Sequence, residues 1–464
     1  MTSRTLPRRS VLSGLAATAV AGTAATTTTS SAAQAVPAPS SRAPRGRKGR
    51  PNILLVVVDD LGRGEVGAYG QQVLQTPVLD RLAADGIRFD QAYATPTCAP
   101  TRCSLFTGQH TGHATVKTNA DAGRGLSRDD VTIPEVLGRA GYRTGLIGKW
   151  GLGPERAGQA SHPTEQGFDR FFGYINQSHC HDYWPTYLWD DETTVIYSEN
   201  HTRNAVYAGT LITEQALAFL DDAARRDQPF FLDVSYTTPH APNVHIDEGP
   251  YGDQDWPDGE KAHAAQVTWT DAQVGLLLER LEQRGLADDT VVVFVSDNGP
   301  HEAGANYDYV NAAVPHDADF FDSNGGLRGI KRDVYEGGIR VPMIARVPGT
   351  PGGRVVTEPI AVWDLLPTFA ELGRARTPRG LDGISFAAAL QGRAQRAHDH
   401  LYWSFDEGRF DEAVRFGRWK AVRLGGRAVE LYDLETDEAE TTDVAAQHPD
   451  LVRRAEQLMA QAVA

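Results

Sequence analysis

Asn52–Val58 reads NILLVVV, a continuous apolar run rich in β-branched residues, closed by Pro51 on one side and Asp59-Asp60 on the other. A run this short and this apolar predicts a strand buried on both faces, as in a parallel sheet covered by helices. Thr290–Ser296 (TVVVFVS) repeats the pattern and is closed by Asp297-Asn298. Working outward, Thr76–Ala84, Ile133–Ala140, Ala205–Arg226 and Lys261–Arg284 carry helical patterns. Ile87–Tyr93, Tyr142–Ile147 and Phe230–Ser235 read as extended. Strands alternating with helices predict an α/β fold, a large mostly parallel sheet flanked by helices. Ligands of such sheets collect beyond the carboxyl ends of the strands. Asp59-Asp60 and Asp297-Asn298 should therefore face one rim.

From about residue 398 the texture changes. His400–Phe405, Ala413–Phe416, Trp419–Leu424 and Val429–Asp433 are short alternating segments, and Pro449–Val463 is an amphipathic helix. They predict a smaller C-terminal antiparallel sheet plus helix over 398–464, set on a catalytic domain spanning 51–397. The N-terminus reads as an address. Arg8-Arg9 precede a weakly apolar stretch, Val11–Ala25, and Ala33-Gln34-Ala35 offers a cleavage site, so residues 1–35 resemble a twin-arginine export signal. Residues 36–50, rich in Pro, Ser and Arg, read as a flexible linker. The chain is thus expected to be exported and to make no stable membrane association.

The whole chain of 464 residues carries a net charge of -15, and its leader takes away only arginines. An acidic mature protein excludes nucleic acid as a partner. Any anionic substrate would need a concentrated local positive pocket. Three cysteines in an exported chain make no disulfide framework. Cys103 and Cys180 read as buried thiols, with a bridge between them left open, and Cys98 asks for another explanation.

Hard divalent cations take oxygen ligands, and adjacent carboxylates after a strand present them. Asp59, Asp60, Asp297 and Asn298 are the candidate metal ligands, with calcium expected first and magnesium second. The sharpest signal is Thr97-Cys98-Ala99-Pro100-Thr101-Arg102, running on to Leu105-Phe106-Thr107-Gly108. Further motifs stand at Asp59-Asp60-Leu61-Gly62, Gly141-Tyr142-Arg143-Thr144, Gly148-Lys149-Trp150, Pro239-His240, Asp297-Asn298-Gly299, and Lys331 ahead of Tyr335-Glu336-Gly337-Gly338. Together they resemble the formylglycine-dependent sulfatases of the alkaline phosphatase superfamily, across roughly residues 51 to 450.

The resemblance implies that Cys98 is oxidised to formylglycine by a formylglycine-generating enzyme, and that residue 98 joins the metal ligands. It implies a catalytic set of Cys98, Arg102, Lys149, His240 and Lys331. One hydroxyl of the hydrated aldehyde attacks sulfur with help from Asp297, and a proton from His240 or Lys331 releases the alcohol. Arg102, Lys149 and Lys331 supply the positive pocket. The substrate class implied is a sulfated carbohydrate or an aryl sulfate. The departure from the family pattern is Gly151, where a histidine commonly follows the tryptophan. His179 and His181, two apart and facing one side of an extended loop, are the first candidates to replace it, with His113 and His301 behind them. The aromatic stretch Asn176–Trp189 is a candidate pocket wall. Two alternatives stand: a phosphonate or phosphodiester hydrolase of the same superfamily, and a non-catalytic exported binding protein.

Overall fold

The computed structural model describes residues 49–243, 247–303 and 315–463. The export signal and all but the last two residues of the linker lie outside them. The main sheet is built from β1 (Asn52–Asp59), β2 (Ile87–Tyr93), β3 (Arg143–Lys149), β4 (Arg170–Tyr174), β5 (Tyr187–Asp190), β6 (Thr193–Ile196), β7 (Phe230–Pro239), β8 (Thr290–Ser296), β9 (Arg340–Arg346), β10 (Arg354–Val356) and β11 (Ile360–Ala361). Its order is β10-β2-β9-β8-β1-β7-β3-β4-β5-β6, with β11 beside β2. The centre, β8-β1-β7-β3-β4, is parallel throughout. The sheet turns antiparallel on both sides, where β9 meets β8 and β2, and where β5 meets β4 and β6.

All eight residues of β1 are buried. Ile53, Leu55 and Val57 pack into one apolar core, and Leu54, Val56 and Val58 into another on the opposite face. The first core is capped by the helices Cys98–Thr107, Ile133–Arg139 and Leu365–Leu372, the second by Pro77–Ala84, Ala208–Ala223 and Asp258–Gln283. Burial on both faces is why these strands read as unbroken apolar runs.

Pro342 lies inside β9, which is flanked on both sides. A proline there cannot donate to a ladder. The structure answers with an irregular register: Phe89 pairs with Met343 and Ala92 with Val341, so β2 bulges opposite Pro342, and pairing of β9 with β8 ends at Met343.

β12 (Leu401–Asp406), β13 (Phe410–Phe416), β14 (Trp419–Leu424) and β15 (Glu430–Asp433) form the second, antiparallel sheet, and Pro449–Gln461 is a helix. Tyr402, Val414, Ala421 and Leu431 pack on Ala455 and Met459 of that helix, whereas Trp403, Ala413 and Val422 face the main core. Lys420 crosses into the main domain with no exposed surface, Nζ 3.0 Å from Glu336 Oε1 and 2.9 Å from Glu440 Oε1. Among the described residues no helix is long and apolar enough to cross a membrane.

Candidate active site

Four adjacent parallel strands, β8, β1, β7 and β3, end on one rim, and each delivers part of the site. Asp59 is the last residue of β1, and Lys149 the last of β3. His240 follows β7, and Asp297-Asn298 follow β8. Gly148 precedes Lys149 at φ +120, and a Cβ there would lie 1.9 Å from the Ser235 carbonyl oxygen, so only glycine lets β3 approach β7 this closely. Asp60 is held in the left-handed region at φ 67, rare for a residue with a side chain. Its N–H donates to Asp297 Oδ1 at 3.1 Å, and the Leu61 N–H to Ser296 Oγ at 3.0 Å.

Cys98 opens the helix Cys98–Thr107, all ten residues of which are buried. Its Sγ lies 3.2 Å from Asp59 Oδ1 and 3.7 Å from Asp60 Oδ1. Lys149 Nζ donates to Asp59 Oδ2 at 2.5 Å, and Lys331 Nζ to Asp60 Oδ2 at 2.7 Å. His240 Nε2 is 3.3 Å from the same Asp60 oxygen. Arg102, one helical turn from Cys98, donates to Lys149 O and Ser235 Oγ, each at 3.0 Å, and to Asp297 Oδ2 at 3.1 Å. The predicted residues therefore converge, and Arg102 is braced through its terminal nitrogens against Asp297, Ser235 and the Lys149 carbonyl.

The electrostatics follow from burial and pairing. Burial alone would lift Asp59, but the charges of Lys149 and Arg102 hold it well below the carboxylate range. Asp297 is pushed up to about 7 by burial and the Asp59 charge. Burial opposes the charges on Lys149 and Lys331, yet Asp59 and Asp60 outweigh it and raise both. Burial, then Lys331, keeps His240 well below its ordinary value and hence neutral. Three carboxylates are thus matched by Arg102, Lys149 and Lys331. A divalent cation would leave the pocket net positive, the local field that an acidic protein needs for an anionic substrate.

The donors also fit such a cation. Asp59, Asp60, Cys98 and His240 each offer an atom within 4.8 Å of the others. Asn298 Nδ2 donates to Asp60 Oδ1 at 2.7 Å and to Gly299 O at 2.8 Å. Its Oδ1 is buried without a partner among the described residues. A buried amide oxygen left unpaired costs about 1–3 kcal/mol, which a hard cation beside it would recover.

This is the chemistry of a recognised family, and its model, named Sulfatase, matches residues 51–375. The chain belongs to the sulfatase family. A second model, N-sulphoglucosamine sulphohydrolase, C-terminal, matches residues 329–462. Arylsulfatase A of Homo sapiens is 32% identical over 411 residues, 80% of this chain and 74% of that protein. The crystal structure of Ps i-CgsB in complex with k-i-k-neocarrahexaose superimposes with a TM-score of 0.76 at 28% identity, covering 89% of this chain and 92% of that one. The phosphonate monoester hydrolase of Agrobacterium radiobacter shares the fold, with a TM-score of 0.64 at 21% identity over 88% of this chain and 95% of that one. As a sulfatase, the protein is a sulfuric ester hydrolase.

The candidates for the absent histidine separate cleanly. His179 and His181 do not lie in an extended loop; they share a single 3-10 turn, His179–His181, and point apart. His179 Nδ1 pairs with Glu155 Oε1 at 2.6 Å, and its ring packs against Tyr174 and Tyr187, which removes it from the sulfatase site. His113 is also excluded, since it pairs with Asp382 at 2.9 Å and is 40% exposed. His181 stacks on His240 with ring centroids 4.1 Å apart, and His301 Nδ1 lies 3.6 Å from Asp60 Oδ2. The stretch Asn176–Trp189 is tied down, Tyr183 OH donating to Thr237 O at 2.8 Å and Tyr174 OH to Asp182 O at 2.6 Å. Cys103 and Cys180 are separate free thiols, both buried.

Three neighbours of the site escaped the sequence reading. Ser235 links Arg102 to Asp233, whose Oδ1 accepts its hydroxyl at 2.8 Å. Asp233 is pushed up to about 7 by burial. A carboxylate inside the apolar strand Phe230–Pro239 was the visible signal for it. Gln177 lies within Asn176–Trp189, the stretch expected to wall the pocket, but nothing in the sequence singled it out there.

Proposed function

We propose that the protein hydrolyses sulfate esters of a carbohydrate or aryl alcohol at residue 98, after a formylglycine-generating enzyme has oxidised Cys98, with calcium, or magnesium as second choice, at Asp59, Asp60, Asp297 and Asn298. The observation that carries this reading is Cys98 Sγ, 3.2 Å from Asp59 Oδ1 and ringed by Lys149, Lys331 and His240. When present, the cation absorbs charge on the sulfate oxygens and the hydrated aldehyde supplies the attacking hydroxyl.

The chain's own residues do the rest. Asp297, which accepts the Asp60 N–H through Oδ1 at 3.1 Å, takes the proton of the attacking hydroxyl. Arg102 holds Asp297 in place through Oδ2. Lys149 and Lys331 clamp the sulfate oxygens, and their fixed positions on Asp59 and Asp60 are pre-organised before substrate arrives. Lys331 and His240 converge on one Asp60 oxygen, and this pair supplies the proton to the leaving alcohol. His181, which burial keeps neutral and which stacks on His240, takes the proton that the histidine absent at 151 would take. Export through the twin-arginine signal fits a protein that folds and is modified before it leaves the cytoplasm.

Purified protein should turn over 4-nitrophenyl sulfate far faster than 4-nitrophenyl phenylphosphonate. The reverse preference would transfer the chain to the phosphonate hydrolases that share its fold.

A further inference from the structure

Position 151 is a glycine in the left-handed region, at φ +73. A Cβ placed there would lie 2.8 Å from Gln177 Oε1, 3.4 Å from Lys149 Cε and 3.5 Å from Arg102 Cδ. The side chain of Gln177 has thus taken the room in which a residue at 151 would begin. The contact is built rather than accidental, because the two backbones are laced together. The Gly151 N–H donates to Ile175 O at 3.1 Å, and Cys180 Sγ donates to Gln177 O at 2.7 Å.

Two polar atoms at this spot lack partners among the described residues. Gln177 Oε1 is a buried acceptor with no donor, and Arg102 Nε, one bond from Cδ, is a buried donor with no acceptor. Each would cost about 1–3 kcal/mol if left so. One group satisfies both at once: a hydroxyl, which accepts from Nε and donates to Oε1. Residue 98 sits one helical turn from Arg102, and Lys149, whose stem borders the same space, reaches the Asp59 carboxylate that Cys98 touches.

We infer that Gln177 is a positioning residue of the sulfatase reaction, its carboxamide oxygen and Arg102 Nε together holding the non-attacking hydroxyl of hydrated residue 98 in the space above Gly151. The inference rests on the reading of residue 98 given under Proposed function. A carboxamide takes no proton, so Gln177 orients that hydroxyl and favours the hydrate over the free aldehyde; when the aldehyde re-forms, the C–O bond to sulfate breaks and the hydroxyl turns its proton from Gln177 to His181. Gly151 and Gln177 are then one device, a glycine that clears the space and a glutamine that refills it from the neighbouring loop.

The test uses the mature full-length enzyme and three variants: Gln177→Ala, Gln177→Met, which keeps the volume without the acceptor, and Gln177→Glu, which keeps an acceptor oxygen. Two quantities are read: the rate at which a hydrazide probe labels the aldehyde, and kcat and KM on 4-nitrophenyl sulfate, which carries no hydroxyl of its own. Gln177→Ala and Gln177→Met should label faster, because the free aldehyde is more populated. Both should lose about tenfold in kcat, the equivalent of one hydrogen bond, with KM little changed. Gln177→Glu should recover much of the loss. Wild-type labelling and turnover in Gln177→Met would overturn the inference and leave Gln177 as filling. Variants with wild-type kinetics and only a lowered melting temperature would overturn it equally. A wild-type enzyme that never labels and carries intact cysteine sinks the reading of residue 98 instead.

Discussion

Arg102 is 1% exposed and donates to three acceptors, one within β7, one at the end of β3 and one just after β8, so its removal is the most revealing single perturbation of this site. Arg102→Met keeps most of the volume and deletes the charge and every donor. In metal-free protein the loss should depend on pH. Asp297 is pushed up to about 7, above the ordinary carboxylate value of 3.8, by burial and Asp59, and Arg102 is the largest influence pulling it down. A carboxyl raised in the folded state contributes stability below its unfolded pKa and loses it as pH rises through the folded one. At about pH 5 Asp297 is protonated in both proteins. The variant then lacks the guanidinium hydrogen bonds, costing about 1–3 kcal/mol, and the attraction to Asp59 that it loses at both pH values, but no ion pair with Asp297. At about pH 8.5 wild-type Asp297 is ionised against Arg102, whereas the variant must bury the carboxylate without its partner, at about 3–5 kcal/mol. Urea unfolding in chelator at the two pH values measures the difference. A deficit that is the same at both, or that shrinks as pH rises, would refute the assignment of Arg102 as the brace of Asp297.

Asp233, pushed up to about 7 by burial, obeys the same sign, so Asp233→Asn should be more stable than wild type by about 2–4 kcal/mol at about pH 8, with the gap closing toward about pH 4 in thermal melts. Lys331→Ala and His240→Gln should slow esters of poorly acidic alcohols far more than 4-nitrophenyl sulfate, because an activated leaving group needs little protonation; a uniform loss across leaving groups would place both residues in binding alone. Exhaustive chelation should abolish turnover, with calcium restoring it better than magnesium and about one equivalent found by elemental analysis.

The main sheet was readable because its central strands are apolar on both faces, and Asn52–Val58 and Thr290–Ser296 have only one plausible environment. The strands that escaped had reasons to. Arg340–Arg346 contains Pro342, which argues against a strand with partners on both sides until the bulge in its neighbour is seen. Arg170–Tyr174 and Tyr187–Asp190 are too short to show a period. Cys98–Thr107 carried no helical signature in the sequence, because a helix buried on every side has no amphipathic pattern, and here all ten residues are inside. The site residues announced themselves through motifs at strand ends. The positions of His179 and His181 did not, since an extended loop would place residues two apart on one side, whereas the 3-10 turn places them on different sides. Gln177 fell inside the expected pocket wall Asn176–Trp189, but its own part there was not legible, because it depends on the missing side chain of Gly151 across a contact that sequence spacing does not encode.

The central claim is that residue 98 of the active enzyme is no longer cysteine. Trypsin releases it in the peptide Phe89–Arg102, whose mass and fragmentation identify the residue directly. Active preparations should carry formylglycine at position 98 in proportion to specific activity, and Cys98→Ala protein should fold but not turn over. Fully active enzyme carrying unmodified Cys98 in that peptide would contradict that claim.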